Sequence, residues 1–320
     1  MEPGKHSIIL PAPAKINLFL HVVGKRVDGY HDLHTWMVKV GLYDVLTLEL
    51  FAGEGVQFYC THPEVPNDDS NIVVRAAKIF FAKSKMAQGV GVKIFLQKNI
   101  PVAAGLGGGS SDAGIVLRGL NDYFDKEFSE NELIESAAAL GADVPFFTLH
   151  HPSVLAEGIG DLMIPAGFIV NCTFILVNPG IFVSTASVFK NFALTRTEKN
   201  SRLSCFQKYE ADHLSLDLMH NDLEQVTCAR YPVIDRIKNA LLIAGASKVL
   251  MSGSGPTVFG VFPDNSGPGV HDFKRLVSRL RREYGEKVFL CRAITGASPS
   301  GKAPGFDPGI RRFESCRPSQ

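Results

Sequence analysis

Apolar residues alternate with polar ones through Ile16–Val23, Thr35–Val40 and Val45–Phe51, the period of two that lays one face of a strand on a core. Asp28-Gly29, between the first two stretches, is a turn signal, so the chain is expected to open with strands. The pattern then changes. Asp68-Asp69-Ser70-Asn71 is a capping cluster ahead of Ile72–Met86, where apolar residues recur at helical spacing. Val90, Val92, Ile94 and Leu96 return to alternation, and this strand runs into a glycine loop. Beyond the loop, Asp112–Tyr123 reads as a helix, and Ser129-Glu130-Asn131-Glu132 is a capping box opening another helix that Gly141 closes.

Gly158, Gly160, Pro165 and Gly167 cluster between the apolar strands Val154–Ala156 and Phe168–Val177, which predicts a boundary near Glu157–Gly167. The remainder predicts helices around Ser184–Phe192, Leu214–Ala229 and Val233–Ala244, strands at Lys248–Met251 and Thr257–Phe262, a helix at Val270–Glu283 and a last strand at Lys287–Ala293. The class expected is therefore α+β, with one domain over residues 1–160 and a second over 161–297. Residues 298–320 turn to Pro, Gly, Ser and Arg without periodicity and are expected to be a disordered tail.

Composition narrows the class of function. At 320 residues the chain has room for two domains whose cores need no disulfide or metal staple. With 45% hydrophobic residues, 20% charged and a net charge of 33 − 32 = +1, neither an unfolded chain nor a broadly basic nucleic-acid binder is expected. No apolar run approaches the roughly 18 residues a membrane span needs; Asn171 and Thr173 interrupt the longest candidate, Ile169–Val177. Met1–Ala14 lacks a basic segment feeding an apolar one, so the expected location is cytoplasmic. Cys60, Cys172, Cys205, Cys228, Cys291 and Cys316 form no Cys-x-x-Cys pair and the histidines no His-x-x-x-His pair, so reduced thiols and no protein-held transition metal are expected.

The sharpest local feature is Pro101-Val102-Ala103-Ala104-Gly105-Leu106-Gly107-Gly108-Gly109-Ser110-Ser111-Asp112, between a strand and a helix. Glycine costs about 1 kcal/mol against alanine in regular structure, so four in five positions imply positive φ and close approach of the backbone to something. At a helix N-terminus that something is an anion: exposed N–H groups and the dipole surround phosphate oxygens, and Ser110 or Ser111 could add a hydroxyl or hold Mg²⁺. The alternative is a flexible tight turn. No lysine follows the loop and Ser110 stands where a dinucleotide fingerprint has its third glycine, so neither a P-loop nor a Rossmann site fits.

Three further stretches are ambiguous alone. Pro13-Ala14-Lys15-Ile16-Asn17-Leu18 puts Lys15 and Asn17 on one side of a strand, which an exposed polar edge would also explain. Gly141-Ala142-Asp143-Val144-Pro145 sets a carboxylate just past a helix C-terminus, where a solvated loop aspartate is the plain reading. Met251-Ser252-Gly253-Ser254-Gly255-Pro256-Thr257 is a second glycine loop between strands, or simply a β-turn.

Taken together with Val27-Asp28-Gly29-Tyr30-His31-Asp32-Leu33 and Ala156-Glu157-Gly158-Ile159-Gly160, these motifs resemble the GHMP small-molecule kinases over about Pro11 to Ala293, and within them the branch acting on a cytidyl-diphosphate-linked methylerythritol. The resemblance implies a ribosomal-S5-like N-terminal domain, a ferredoxin-like C-terminal domain and an active cleft between them. It implies ATP and Mg²⁺, with the phosphates over Pro101, Ala103, Ala104, Gly105, Leu106, Gly107, Gly108, Gly109, Ser110 and Ser111, and the adenine near Asn71 and Lys98. Asp143 matches the family's base and Lys15 its basic partner, whose ammonium stabilises charge on the transferring group. Tyr30 and His31 would meet the cytosine, with Phe189 facing Tyr30 across it. Asn17 would meet the methylerythritol hydroxyls, and Thr185, Gly253, Ser254 and Gly255 would complete the substrate side. The partners implied are small molecules, without nucleic acid or membrane. A mevalonate-type or homoserine-type kinase would lack the Asp-Gly-Tyr-His segment, and a non-catalytic nucleotide binder would lack Asp143 or Lys15.

Overall fold

The computed structural model describes residues 7–166, 172–192, 216–263 and 272–294. The 298–320 tail, Cys205, Cys316 and the expected starts at Phe168, Leu214 and Val270 lie outside the described residues. Two long antiparallel strands dominate the first half, β1 (Ser7–Lys25) and β2 (His31–Ala52), joined through Asp28-Gly29. Along the other edge of β2, Val45–Ala52 pairs with β4 (Val90–Gln97) and Thr35–Val38 with β5 (Ser153–Glu157). β3 (Val56–Cys60) runs parallel to β4 through α1 (Ile72–Lys83). The short β6 (Leu162–Pro165) pairs with β5 and carries this sheet to Pro165, past the expected division at 160/161.

Local sequence explains the helices. Asn71 caps α1 by accepting the Val73 N–H, and the helix ends at Lys83, short of the expected Met86, where Ser84 turns extended. Both bonds of the Ser129–Glu132 capping box form at the start of α3 (Glu130–Ala138). α2 runs from Gly108 to Tyr123, four residues earlier than expected, so the end of the glycine run is its first turn. α4 (Val144–Thr148) is a single short turn of helix that the sequence pattern did not suggest.

The second half forms a four-stranded antiparallel sheet from β7 (Cys172–Val177), β8 (Lys248–Met251), β9 (Val258–Pro263) and β10 (Val288–Arg292). Their spatial order, β10-β7-β9-β8, is fourth-first-third-second, the ferredoxin-like arrangement. The associated helices are α5 (Thr185–Asn191), α6 (Glu224–Arg230), α7 (Val233–Ile243) and α8 (Phe273–Tyr284). The helix expected over Leu214–Ala229 is instead a 3-10 turn at Leu216–Leu218, an irregular stretch and then α6. The reason is tertiary: Asn221 bridges to Leu20 of β1 and gives its side-chain amide to two distant carbonyls, bonds a continuous helix could not make.

The two halves share a core. Ala14, Ile16 and Leu18 of β1 pack in one cluster with Phe174, Leu176 and Phe259 of the second sheet, while Ala12 packs beneath α2. β1 is thus covered on both faces, and its middle, Ala12–Leu20, is buried throughout. Among the described residues no helix is long and apolar enough to cross a membrane.

Candidate active site

Ala103, Gly105 and Gly107 all take left-handed backbone, with φ of 51°, 74° and 69°. A Cβ on Gly107 would stand 2.9 Å from the Phe147 ring and 3.1 Å from Lys15 Cγ, and one on Gly105 would collide with the Ser252 carbonyl. Close packing therefore demands these glycines. The first bond inside α2 is Ser111 N–H to Gly107 O at 2.8 Å. The helix accordingly offers no acceptor to the N–H groups of Gly108, Gly109 and Ser110, which form its positive end. They open onto a cleft of about 1170 Å³ that reaches from β1 and β2 to α5. Ser110 lines this cleft, whereas Ser111 and Leu106 are buried behind the loop and do not, contrary to expectation.

Lys15 and Asn17 sit mid-strand on β1, and β-bulges at Pro13/Ala14 and Asn17/Phe19 bracket them. Bulges of this kind re-aim side chains. Neither residue is on an exposed edge: Lys15 is 5% and Asn17 2% accessible. The Lys15 N–H donates to Leu106 O at 2.9 Å, strapping the glycine loop to the strand. The Lys15 ammonium donates to Asn17 Oδ1 at 2.7 Å and stands 3.6 Å from an Asp143 carboxylate oxygen. Asn17 Nδ2 donates to Thr35 Oγ1 at 2.8 Å, and Thr35 donates to Phe19 O at 2.7 Å. Each polar end of Asn17 thus makes one bond, which orients Lys15, and the residue lines the cleft. Asp143 lies just past the end of α3, as expected, and occupies the N-cap position of α4 without a side-chain cap bond, which leaves its carboxylate opposite Lys15.

Two expected adenine-side residues line the cleft with their side chains already committed. Asn71 Oδ1 accepts from Val73 N–H and its Nδ2 donates to Pro66 O at 2.6 Å. The Lys98 ammonium lies between Asp44 and Asp112, 3.0 Å from the latter, beneath Gly108. Burial alone would push the Lys98 ammonium down, but the two carboxylates reverse this and hold it above its ordinary value. Burial, with the Asp44 charge beside it, pushes the Asp112 carboxyl up to about 8. The triad braces the loop from below: Asp44 Oδ1 also accepts from the N–H groups of Asn99 and Ile100 at 2.6 and 2.8 Å. Pro101, Ala103, Ala104 and Gly109 line the cleft as expected.

At the other end of the cleft, His31 is buried at 6% accessibility while Tyr30 is 62% exposed. Phe189 stacks on His31, with ring centroids 5.3 Å apart, and not on Tyr30. Burial, assisted by the Lys25 ammonium, holds the His31 imidazole below its ordinary range, so it is neutral near pH 7 and can both donate and accept. Thr185 Oγ1 and Ser254 Oγ are hydrogen-bonded at 2.8 Å, joining α5 to the second glycine loop. Gly253 of that loop lines the cleft beside Lys15, while Gly255 lies behind it with the cis Gly255-Pro256 bond. Sequence reasoning missed Thr35 and Asn221. Asn221 Nδ2 holds the loop through Met251 O and Gly253 O, both at 2.7 Å, and no spacing along the chain announces that.

Residues 71–151 match the family model of the GHMP kinases N terminal domain, and residues 200–271 that of the GHMP kinases C terminal. A 4-diphosphocytidyl-2-C-methyl-D-erythritol kinase of Desulfotalea psychrophila is 50% identical over 88% of this chain and 94% of its own length. One of the same name from Syntrophotalea carbinolica is 47% identical over 79% and 89%. Among solved structures, a 4-(cytidine 5'-diphospho)-2C-methyl-D-erythritol kinase superposes with a TM-score of 0.69 at 30% identity, covering 91% of this chain and all of that one. A homoserine kinase from Cytophaga hutchinsonii reaches 0.68 at 17% identity, with 92% and 96% covered, a likeness of fold alone.

Proposed function

The chain belongs to the 4-diphosphocytidyl-2-C-methyl-D-erythritol kinase family of the GHMP kinases, and we propose on that basis that it phosphorylates the 2-hydroxyl of 4-diphosphocytidyl-2-C-methyl-D-erythritol. It is an ATP-dependent small-molecule kinase. The reaction would be a step of the methylerythritol phosphate route to isoprenoid precursors, in the cytoplasm. The observation that carries the mechanism is the Lys15–Asp143 pair at 3.6 Å, in the same cleft as the first turn of α2.

In this reading the N–H groups of Gly108, Gly109 and Ser110 hold the ATP phosphates at the positive end of α2. Mg²⁺ carried by the nucleotide would neutralise phosphate charge, and Ser110 is the serine of the pair placed to reach it. Asp143 accepts the acceptor hydroxyl's proton as its oxygen attacks the γ-phosphorus, and the bond to the β-phosphate oxygen breaks in line, leaving ADP. Lys15, aimed by Asn17, stabilises the charge on the equatorial oxygens during transfer. The neutral His31 reads the edge of the cytosine, and Tyr30 and Phe189 supply aromatic faces. The stacked His31–Phe189 pair would open or slide to admit the base.

The test is phosphoryl transfer by the purified full chain with ATP and Mg²⁺, offered the cytidyl substrate, mevalonate and homoserine in separate assays, with product phosphate followed by ³¹P NMR. Turnover of the cytidyl substrate alone is expected. Preferential turnover of mevalonate or homoserine would overturn the substrate assignment, and no turnover of any acceptor with ATP still bound would favour a non-catalytic nucleotide binder.

A further inference from the structure

Away from the cleft, on the seam between the two halves, three ligand-type side chains converge. His21 lies on β1, and His220 and Asp222 lie on the irregular stretch ahead of α6. One ring nitrogen of His21, one of His220 and one Asp222 carboxylate oxygen are all within 4.8 Å of one another. We propose that His21, His220 and Asp222 form a binding site for one divalent transition-metal ion of the zinc type, which ties β1 to the segment that holds the second glycine loop.

The backbone builds the site in advance. Leu20 N–H donates to His220 O at 2.8 Å and Asp222 N–H to Leu20 O at 2.9 Å, so the two segments are already laced together. Asp222 is buried, and its Oδ2 accepts the Val22 N–H at 2.8 Å, which turns Oδ1 toward both imidazoles. A carboxylate fixed through its second oxygen is the support that metal ligands commonly have. From Asp222 Oδ1, His220 Nε2 is 2.8 Å away and His21 Nδ1 3.7 Å, and the two rings lie 5.4 Å apart at 19°.

Zinc–nitrogen and zinc–oxygen bonds of about 2.0–2.2 Å in a tetrahedron place neighbouring ligand atoms about 3.3 Å apart. The two spacings to Asp222 Oδ1 bracket that value, and the stacked His220 ring, 51% exposed, has room to turn its nitrogen toward the ion. The same exposure leaves a fourth position for water. Two imidazoles and a carboxylate select zinc-like ions over Mg²⁺, so this site is chemically separate from the nucleotide's magnesium. Cross-strand from His21, His34 faces Glu157 at 4.0 Å and remains outside the triad. Asn221, between the two ligands from this stretch, bonds Met251 O and Gly253 O, so an ion here would steady the loop beside Lys15.

The test uses the full chain stripped with EDTA and exchanged into chelator-free buffer. Zn²⁺ is titrated in competition with a chromophoric chelator, and thermal unfolding is followed with and without Zn²⁺. Wild type is expected to bind one more Zn²⁺ than His220→Ala, or to bind it at least about 100-fold more tightly, since even a supporting residue is worth 10–100-fold. A Zn²⁺-dependent rise in melting temperature should be present in wild type and absent in His220→Ala. His150→Ala, an exposed histidine elsewhere, should behave as wild type. Identical Zn²⁺ binding by wild type and His220→Ala, or no binding at micromolar Zn²⁺, would overturn the proposal and leave the triad held by protons alone.

Discussion

Lys39 on β2 pairs across the sheet with Lys15, and its ammonium is buried against α4. It donates to Leu149 O at 2.7 Å and stands 4.8 Å from the centre of the Phe146 ring. Burial first, and the neighbouring Arg118 charge second, push its pKa from 10.5 down to about 7. The unfolded chain therefore binds this proton more tightly than the folded one, so the penalty is fully present below pH 7 and fades as pH rises toward 10.5. Between pH 7 and pH 9 the folded state should recover about 2 kcal/mol from this group alone. Lys39→Met keeps an unbranched side chain of similar length without the titrating charge, and groups elsewhere cancel in the comparison. At roughly 2 °C per kcal/mol for a chain of this size, the melting temperature of wild type minus that of Lys39→Met should rise by about 4 °C from pH 7 to pH 9. Parallel pH profiles for the two proteins would refute the reasoning, because they would mean that the Lys39 ammonium is solvated or paired and the core does not penalise it.

Three further outcomes are expected. Asp143→Asn should cut turnover by about 10²–10⁴ while ATP affinity, measured by calorimetry, stays within a factor of a few; unchanged turnover would remove Asp143 from the role of base. Gly107→Val forces a branched side chain into a φ of 69° and against the Phe147 ring, so ATP binding should be lost first; a folded variant that still binds ATP would show that the loop does not cradle phosphate. Tyr30→Ala and Phe189→Ala should each weaken the cytidyl substrate by a share of the roughly 1–3 kcal/mol that stacking a base supplies, leaving ATP affinity little changed, and His31→Ala should also erode discrimination between cytosine and uracil analogues. Equal losses for ATP and the cytidyl substrate would detach these residues from the base.

The parts of this protein decided by neighbours in sequence were legible in the sequence. The Ser129–Glu132 box and the Asn71 cap are bonds over two or three residues, and they form as the residue types imply. Alternation placed β4 and the Val45–Phe51 part of β2, since a strand with one face on a core must repeat every two residues, whereas β8, β9 and the middle of β1 are apolar runs buried on both faces. The glycine run announced close approach because nothing else justifies its entropy cost. What the sequence could not decide is what each of those residues meets. Asn17 and Asn71 both line the cleft, and Thr35, Lys15, Pro66 and the Val73 N–H each take one bond from their amides, partners that come from the pairing of β1 with β2 and from the start of α1. Ser110 and Ser111 are equivalent as letters; helical rotation sends one to the cleft and buries the other. Asp44 under Lys98, Asn221 under the second glycine loop, and His21 beside His220 join residues far apart in the chain, where local propensity carries no information. The pairing of β2 with β4 brings Asp44 to Lys98, and the packing of the second half against β1 brings Asn221 and His220 to their partners, because a buried polar atom takes whichever partner the fold delivers to it.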